Sequence, residues 1–304
     1  MSKINYIPFL SLLVLLSFSM ATHAEVKVFA CEPEWAALAS ELGGEQVSVF
    51  SATTGLQDPH QIQARPSLIA QLRSADLLAC TGAELETGWL PLLLQRAANQ
   101  KVQAGKPGHF MATEFVRLLG MPKKIDRSQG EVHAAGNPHI QTSPANILLV
   151  AKAMVARLQI IDPDHSVFYT ARLSNFTERW QAAMTKWKAL TRELRDMPIA
   201  VQHNSWVYLE DWLKLNNLAT LEDKPGIPPS SGHLSQVLEK MQNQPAKMLL
   251  LASYQSDKAA QWFAQKTNIP VVTLPFTVGG SEQATDLFSL YDTTFTLMLE
   301  AYKP

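Results

Sequence analysis

The sequence predicts an α/β fold of two lobes, each a parallel sheet flanked by helices, joined by one long helix. Three observations carry this. Short apolar runs alternate with helical patterns over 25–164 and again over 196–304, as in strands linked by crossover helices. Between them, residues 167–194 keep one apolar stripe (Phe168, Leu173, Phe176, Trp180, Met184, Trp187, Leu190) at three-to-four spacing. A helix of that length spans about 40 Å at about 1.5 Å per residue, longer than a typical domain helix. It reads as a strut, 165–195, between two lobes. The third observation is length: about 280 residues remain after the N-terminal segment is set aside, enough for a large core and two lobes.

That segment, 1–24, has the form of a secretory signal. Lys3 supplies the positive start, residues 8–18 are mostly apolar, and Ala21-Thr22-His23-Ala24 offers a small-residue cleavage site. The apolar run is too short for a convincing membrane span, and no Cys stands at the cleavage point to take a lipid. The expectation is an exported, periplasmic chain with no membrane insertion after cleavage.

In the first lobe, 26–30 is a strand and 33–42 a helix stopped by Gly43-Gly44. Strand 47–50 follows, then a loop 53–60, a short helix 66–73 and a strand 75–79. Glu84 to Ala98 reads as a helix whose regular part begins near Pro91, with Glu84 and Glu86 as a charge pair at its N-terminus. Residues 101–136 are polar and Gly-rich and read mostly as loop, with one apolar island at 115–119. A helix then runs from Pro144 to about Leu158, with Thr142 or Ser143 as N-cap, and Asp162-Pro163-Asp164 breaks the chain. In the second lobe the strands are 199–202, 219–221, 248–252 and 271–274. The helices are 206–213, 234–242, 257–265 and 284–301, and Lys224 to Gly232 is a Pro/Gly/Ser loop.

Charge excludes two classes of partner. With 26 Lys+Arg against 27 Asp+Glu there is no electrostatic footprint for nucleic acid or an anionic membrane. Cys31 and Cys80 end two apolar runs; in an exported protein they are either a disulfide or two buried thiols, and no CxxC motif is present.

The chemistry is carried by histidines. His139 closes the turn Gly136-Asn137-Pro138-His139, at the mouth of the helix that starts near Pro144. His60 ends Asp58-Pro59-His60, and His203 follows the run 198–201. All three lie in loops after expected strands, where ligands of open α/β sheets collect. Three imidazoles suit zinc, copper, iron or nickel and leave one tetrahedral position free, but their spacing alone does not show that they meet. His109 and His165 lie in polar connections and read as solvated, and His233 as a residue near the start of a helix. Trp180 and Trp187, seven apart, have core spacing.

Several segments resemble the zinc/manganese solute-binding proteins of ABC import systems: Asp58-Pro59-His60 with Pro66-Ser67, and Ala75-Asp76-Leu77-Leu78 leading to Gly82 and Glu86. Asn137-Pro138-His139 with Pro144-Ala145-Asn146, and His203-Asn204-Ser205-Trp206, continue the likeness in order over nearly the whole mature chain. The resemblance implies two lobes joined by one helix and a metal in the cleft, ligated by His60 and His139 from the first lobe and His203 from the second. It implies Zn2+ as cargo, an ABC transporter membrane permease as partner, and a monomer, since a carrier that docks through both lobes needs no second subunit. Two departures stand out. Many members place an Asp after the last strand as fourth ligand, whereas here Leu274 to Gly280 holds no carboxylate before Glu282. Many zinc-specific members carry a His- and acid-rich loop where 120–136 holds only Asp126, Glu131 and His133. The fourth position falls to water, Glu282, Asp58, Glu131 or His133. Three nitrogens without a matched carboxylate favour zinc over manganese. The rival readings are a zinc-dependent hydrolase using a three-His site, against which no carboxylate has a clear general-base place, and a periplasmic zinc chaperone.

Overall fold

The structure is a computed structural model that describes residues 25–122 and 130–302; the expected signal 1–24 and Asp126 lie outside them. The first lobe runs β1 (Val26–Ala30), α1 (Pro33–Gly43), β2 (Val47–Ser51), α2 (Pro66–Ser74), β3 (Leu77–Cys80), α3 (Leu90–Ala97) and β4 (His109–Met111). Then come α4 (Pro144–Ile161) and α5 (Ser166–Leu190). The second lobe holds β5 (Pro198–Val201), α6 (Val207–Leu213), β6 (Asn216–Thr220), α7 (Ser231–Asn243), β7 (Met248–Ala252), α8 (Lys258–Thr267), β8 (Val271–Leu274) and α9 (Leu287–Tyr302). The two sheets are wholly parallel and of one pattern, β2-β1-β3-β4 and β6-β5-β7-β8.

Each strand divides its side chains between two layers, as period-two alternation requires. In β1, Val26, Val28 and Ala30 enter the central core while Phe29 turns to the layer closed by α2 and α3. In the second sheet, Ile199, Val201, Leu250 and Leu274 face the central core, and Ala200 and Leu249 face α7 and α8. The central core is continuous through both lobes. It passes from β1 and β3 through α1, α4 and α5 to β5, β7, β8 and α9. The long helix is therefore more than the expected strut: Tyr169, Phe176, Trp180 and Trp187 are buried against α1, α4 and α9. Helix α4 has the length and composition of a membrane span, and its apolar residues Ile147, Val150, Ala151, Met154 and Leu158 lie in this core.

The structure corrects the readings of 101–136, of His109 and of the Glu84/Glu86 pair, and it resolves the two cysteines as a disulfide. The segment 101–136 contains β4, a three-residue strand hydrogen-bonded to β3, with buried Phe110 at its centre. It is too short to leave a periodic signal in a polar stretch. His109 consequently sits on a strand, its Nδ1 2.9 Å from the Val102 carbonyl. Glu84 and Glu86 do not cap a helix, since α3 begins only at Leu90. Glu86 is buried and accepts the backbone N–H groups of Thr81 at 2.7 Å and Gly82 at 3.1 Å, while Glu84 accepts that of Ala134 at 2.7 Å. Cys31 and Cys80 are joined in a disulfide between the carboxyl ends of β1 and β3, with Cα atoms 4.8 Å apart. The bridge and Glu86 close the first sheet's switch point.

Glu86 belongs to a buried group with Glu32 and Glu34. Glu32 accepts Thr81 Oγ1 at 3.0 Å, and Thr81 Oγ1 in turn accepts the Trp35 indole N–H at 2.8 Å. Glu34 accepts the hydroxyl of Thr277, from the loop after β8, and so ties α1 to the second lobe. Close by, the lobes touch backbone to backbone. A Cβ on Gly55 would lie 2.3 Å from the Gly279 carbonyl carbon and the Gly280 nitrogen, so only glycine fits there. Burial pushes Glu34 up to about 7 against the opposing Thr277 hydrogen bond, and burial with the charges of Glu86 and Glu34 pushes Glu32 well above its ordinary value. A carboxyl raised in the folded state holds its proton more tightly than in the unfolded chain. Its contribution to stability is present below the unfolded value of 4.5 and is lost as pH rises towards about 7. Between pH 5 and pH 7.5 the Tm of the wild type should accordingly fall relative to that of Glu34→Gln, by a few degrees for a chain of this size. Parallel Tm curves for the two proteins across that window would contradict the buried, protonated Glu34.

Candidate metal centre

His60 is held by its own loop. Asp58 Oδ1 accepts the His60 backbone N–H at 3.0 Å and lies 2.9 Å from His60 Nδ1, an Asx-type turn that also fixes the ring. The Trp89 indole N–H binds the Pro59 carbonyl at 3.0 Å and pins this loop to the lobe. Burial would raise the Asp58 carboxyl, but hydrogen bonds and charge from His60 hold it below its usual value.

His139 sits between Asn137 and a short turn at Ile140–Thr142 that leads into α4. Asn137 Oδ1 accepts the His139 N–H at 3.0 Å, and Asn137 Nδ2 donates to the Asn204 carbonyl of the second lobe at 2.6 Å. Ser143 holds the N-cap place and Pro144 opens the helix, as expected, though the serine side chain makes no cap bond. The Trp180 indole N–H reaches back to the Pro144 carbonyl at 2.8 Å, and Tyr291 of α9 donates to the Gln141 carbonyl. His203 follows β5, at the point where the second sheet's strand order reverses, and its Nδ1 lies 2.7 Å from Glu222 Oε2.

The three rings face one another. Centroid separations are 5.3 Å for His60–His139, 5.8 Å for His139–His203 and 6.3 Å for His60–His203. A metal about 2.0–2.1 Å from each nitrogen stands about 3.2 Å from each ring centre, which puts tetrahedral partners about 5.2 Å apart. The observed triangle is wider than that by at most about 1 Å. Asp58 and Glu222 occupy the Nδ1 side of His60 and His203, which leaves Nε2 of each for a ligand, and His60 Nε2 is buried without a hydrogen-bond partner. His139 Nδ1 is likewise buried and unpartnered. Burial, and then the neighbouring His60 and His203, hold His139 well below the usual histidine range, so its lone pair is available at neutral pH.

Of the fourth-ligand candidates, His133 and Glu131 stand beside the triangle. The His133 ring is 5.4 Å from that of His60 and 6.5 Å from that of His139. Burial and then His60 pull His133 down to about 4, against a hydrogen bond at Ala83. Glu131 Oε2 is 3.6 Å from His60 Nε2. Asp58, His60 and Glu131 also place one ligand atom each within 4.8 Å of one another. Asp58 is committed to His60. Glu282 is exposed and lines neither histidine cavity. Where the sequence lacks a carboxylate after β8 the structure has Phe276, its ring 5.2 Å from His139 and packed on Trp206 and Tyr254.

A cavity of about 450 Å³ lined by Asp58, His60, Glu131, His203, Glu222 and Tyr254 opens on one side of the rings. A smaller one of about 170 Å³, lined by His133, His139 and His203, lies on the other. Sequence reasoning missed Glu222, Tyr254 and Phe276. Glu222 stands just past the carboxyl end of β6, a placement that could have flagged it; nothing in the pattern singles out the two aromatics. His165 pairs with Asp162 at 2.8 Å, and His233 lies in the first turn of α7, Nε2 2.9 Å from the Thr220 carbonyl, both away from this site. Because Asp58 Oδ1 holds the His60 ring, Asp58→Ala should weaken metal affinity by about 10–100-fold with stoichiometry unchanged. Calorimetry giving unaltered affinity would remove Asp58 from that role.

Comparisons with known proteins agree with this architecture. A family profile described as zinc-uptake complex component A, periplasmic, matches residues 28–301. The manganese ABC transporter substrate-binding lipoprotein PsaA of Streptococcus mitis is 22% identical, over 94% of this chain and 93% of its own length. The metal ABC transporter substrate-binding lipoprotein SsaB of Streptococcus sanguinis is 20% identical, over 98% and 96%. Among solved structures, ZnuA superposes with a TM-score of 0.77 at 21% identity, covering 92% of this chain and all of the other. The manganese-bound periplasmic metal-binding protein of Candidatus Liberibacter asiaticus gives 0.75 at 16% identity, over 92% of this chain and all of its own. Since the profile runs across both lobes, the chain belongs to the zinc-uptake complex component A family, metal-binding solute-binding components of ABC importers that carry a cargo and are not enzymes.

Proposed function

We propose that the chain captures Zn2+ in the inter-lobe cleft with His60, His139 and His203 and delivers it, as an exported periplasmic protein, to the membrane permease of an ABC importer. The observation that carries this reading is the convergence of three imidazoles from both lobes, two of them backed by carboxylates as the carboxylates that orient zinc-binding imidazoles are. Zinc is preferred over manganese because the facing atoms are imidazole nitrogens and the wall after β8 is the Phe276 ring, whereas manganese favours oxygen ligands. Glu131 and His133 are the residues nearest the remaining position, with water as the third choice.

Manganese is the second reading. It is favoured by the Asp58–His60–Glu131 grouping, which offers two carboxylates beside one imidazole. Direct competition separates the two.

Calorimetry on the mature protein should give one tight Zn2+ site and weaker Mn2+ binding. His60→Ala, His139→Ala and His203→Ala should each weaken zinc by about 100-fold or more, beyond the effect of an orienting residue. Unchanged zinc binding in these variants would leave the cleft without its role. Tighter manganese than zinc would select the second reading. Because protonated imidazole cannot ligate, zinc affinity should fall on acidification and, with burial holding His139 neutral well below the usual histidine range, should still be falling below about pH 5.5; affinity independent of pH down to about 4 would count against an all-histidine set.

A further inference from the structure

The cavity of about 450 Å³ that opens on His60 and His203 is larger than a metal ion needs. A water takes about 30 Å³ of liquid volume, so an ion with one water in its free position would fill a small part of it. The space is no gap between parted lobes. The Glu131 N–H donates to the Pro225 carbonyl across the cleft at 2.9 Å, Asn137 Nδ2 donates to the Asn204 carbonyl at 2.6 Å, and Gly55 lies against Gly279. With the lobes touching at these places the cavity persists, and its size falls in the range of about 300–1,000 Å³ that small organic ligands occupy.

Its polar lining is of two kinds. Asp58, Glu131 and Glu222 bring carboxylate oxygens around His60 and His203, and Glu222 Oε2 also accepts the Gly226 N–H at 2.9 Å. Gln202, next to His203 in the chain, lines the same space; it is 5% exposed, and its Oε1 is buried with no hydrogen-bond partner. A buried acceptor left in this way is complemented by an N–H or O–H. The lining at the start of α8 is the reverse. Lys258 is exposed and makes no ion pair among the described residues, and it opens a ten-residue helix whose Asp257 gives no side-chain cap to the first amides. Glu222 follows β6 and Lys258 follows β7, on opposite sides of β5 in the sheet, so acceptors and donors flank His203.

We propose that the cleft takes its metal as the complex of a single α-amino acid, held by Gln202 and the start of α8 as well as by the histidines. The proposal rests on the capture reading above and names the form of the cargo. An amino acid has the polarity of the cavity. Its amine, neutral when bound to a metal, keeps N–H groups for Gln202 Oε1 and the nearby carboxylates, and its carboxylate suits Lys258 and the free amides of α8. The amine also fills the position for which the segment after β8 offers no carboxylate. Citrate, a chelator with three carboxylates, would set like charges beside Asp58, Glu131 and Glu222 and is disfavoured.

The test is equilibrium dialysis of the full mature chain against radiolabelled L-histidine, glycine or citrate, with and without one equivalent of Zn2+, with zinc in the protein compartment counted alongside. The wild type should retain one histidine or one glycine per chain with zinc and none without it, and should exclude citrate. Lys258→Glu, at an exposed position, and Gln202→Leu should each hold the amino acid at least about tenfold more weakly while binding zinc alone within about twofold of the wild type. Both amino acids absent from the zinc-loaded wild type, zinc stripped by them, citrate held in their place, or Lys258→Glu retaining them as the wild type does, overturns the amino-acid complex and leaves capture of the metal intact. A wild type that binds no zinc when no chelator is present overturns capture and the proposal with it.

Discussion

Trp180 ties the loop of the candidate metal centre to the shared core of the two lobes. Its ring lies in the one apolar core that serves both lobes, against Phe176 at 5.1 Å, Trp187 at 5.2 Å, Phe288 at 4.8 Å and Tyr291 at 5.6 Å. Its indole N–H holds the carbonyl of Pro144, the first residue of the helix that begins just after His139. An aromatic cluster of this size contributes through buried area and edge-to-face geometry. The loop bearing His139 is therefore referenced to the joint between lobes and to neither lobe alone. Domains that meet through small polar interfaces are expected to move freely. Here the shared core places the rear of the cleft under a packing constraint, and freedom is left to the loops at its front.

Two groups of ionisable residues occupy the joint, and burial acts on them in opposite senses. It pulls the imidazoles of His139 and His133 down and pushes the carboxyls of Glu32, Glu34 and Glu86 up, so both groups are driven towards neutrality. For the histidines neutrality is the condition for ligation. For the glutamates it lowers the cost of bringing three buried carboxyls together, their oxygens met by the Thr81 and Gly82 amides and by the Thr277 hydroxyl. The carboxylates that remain useful to a cation, Asp58 and Glu222, are hydrogen-bonded to His60 and His203, the rings of the proposed ligands.

The alternation of apolar runs with helical periods was sufficient to give the fold, because strands of a parallel sheet buried on both faces read as unbroken apolar segments. Runs such as Met248–Ala252 and Val271–Leu274 stand out for that reason. The three histidines were legible as candidates from their loops and from the resemblance of Asn137-Pro138-His139 and its counterparts. What escaped was set by contacts distant in sequence. Strand β4 is a strand only because β3 offers it an edge. Glu86 is buried because the ends of β1 and β3 meet above it. Glu222 acquires a role only when β6 is laid beside β5 and brings it to His203. The double attachment of α5 was invisible for the same reason: its stripe shows that one face is buried, and the partners of that face lie in α1, α4 and α9.

In the proposed site the absence of a carboxylate after β8 follows a consistent physical pattern. Phe276 places an apolar edge against His139, so an ion held there by imidazole nitrogens would have its charge balanced through intermediaries: Asp58 behind His60, Glu222 behind His203, and Glu131 at the rim. A carboxylate bound directly to the metal would deepen the well irrespective of how the loops stand. Charge supplied through hydrogen-bonded rings and a rim residue depends on the loops that carry those groups. Glu131 and Glu222 are the members of this set tied to the edge between the lobes.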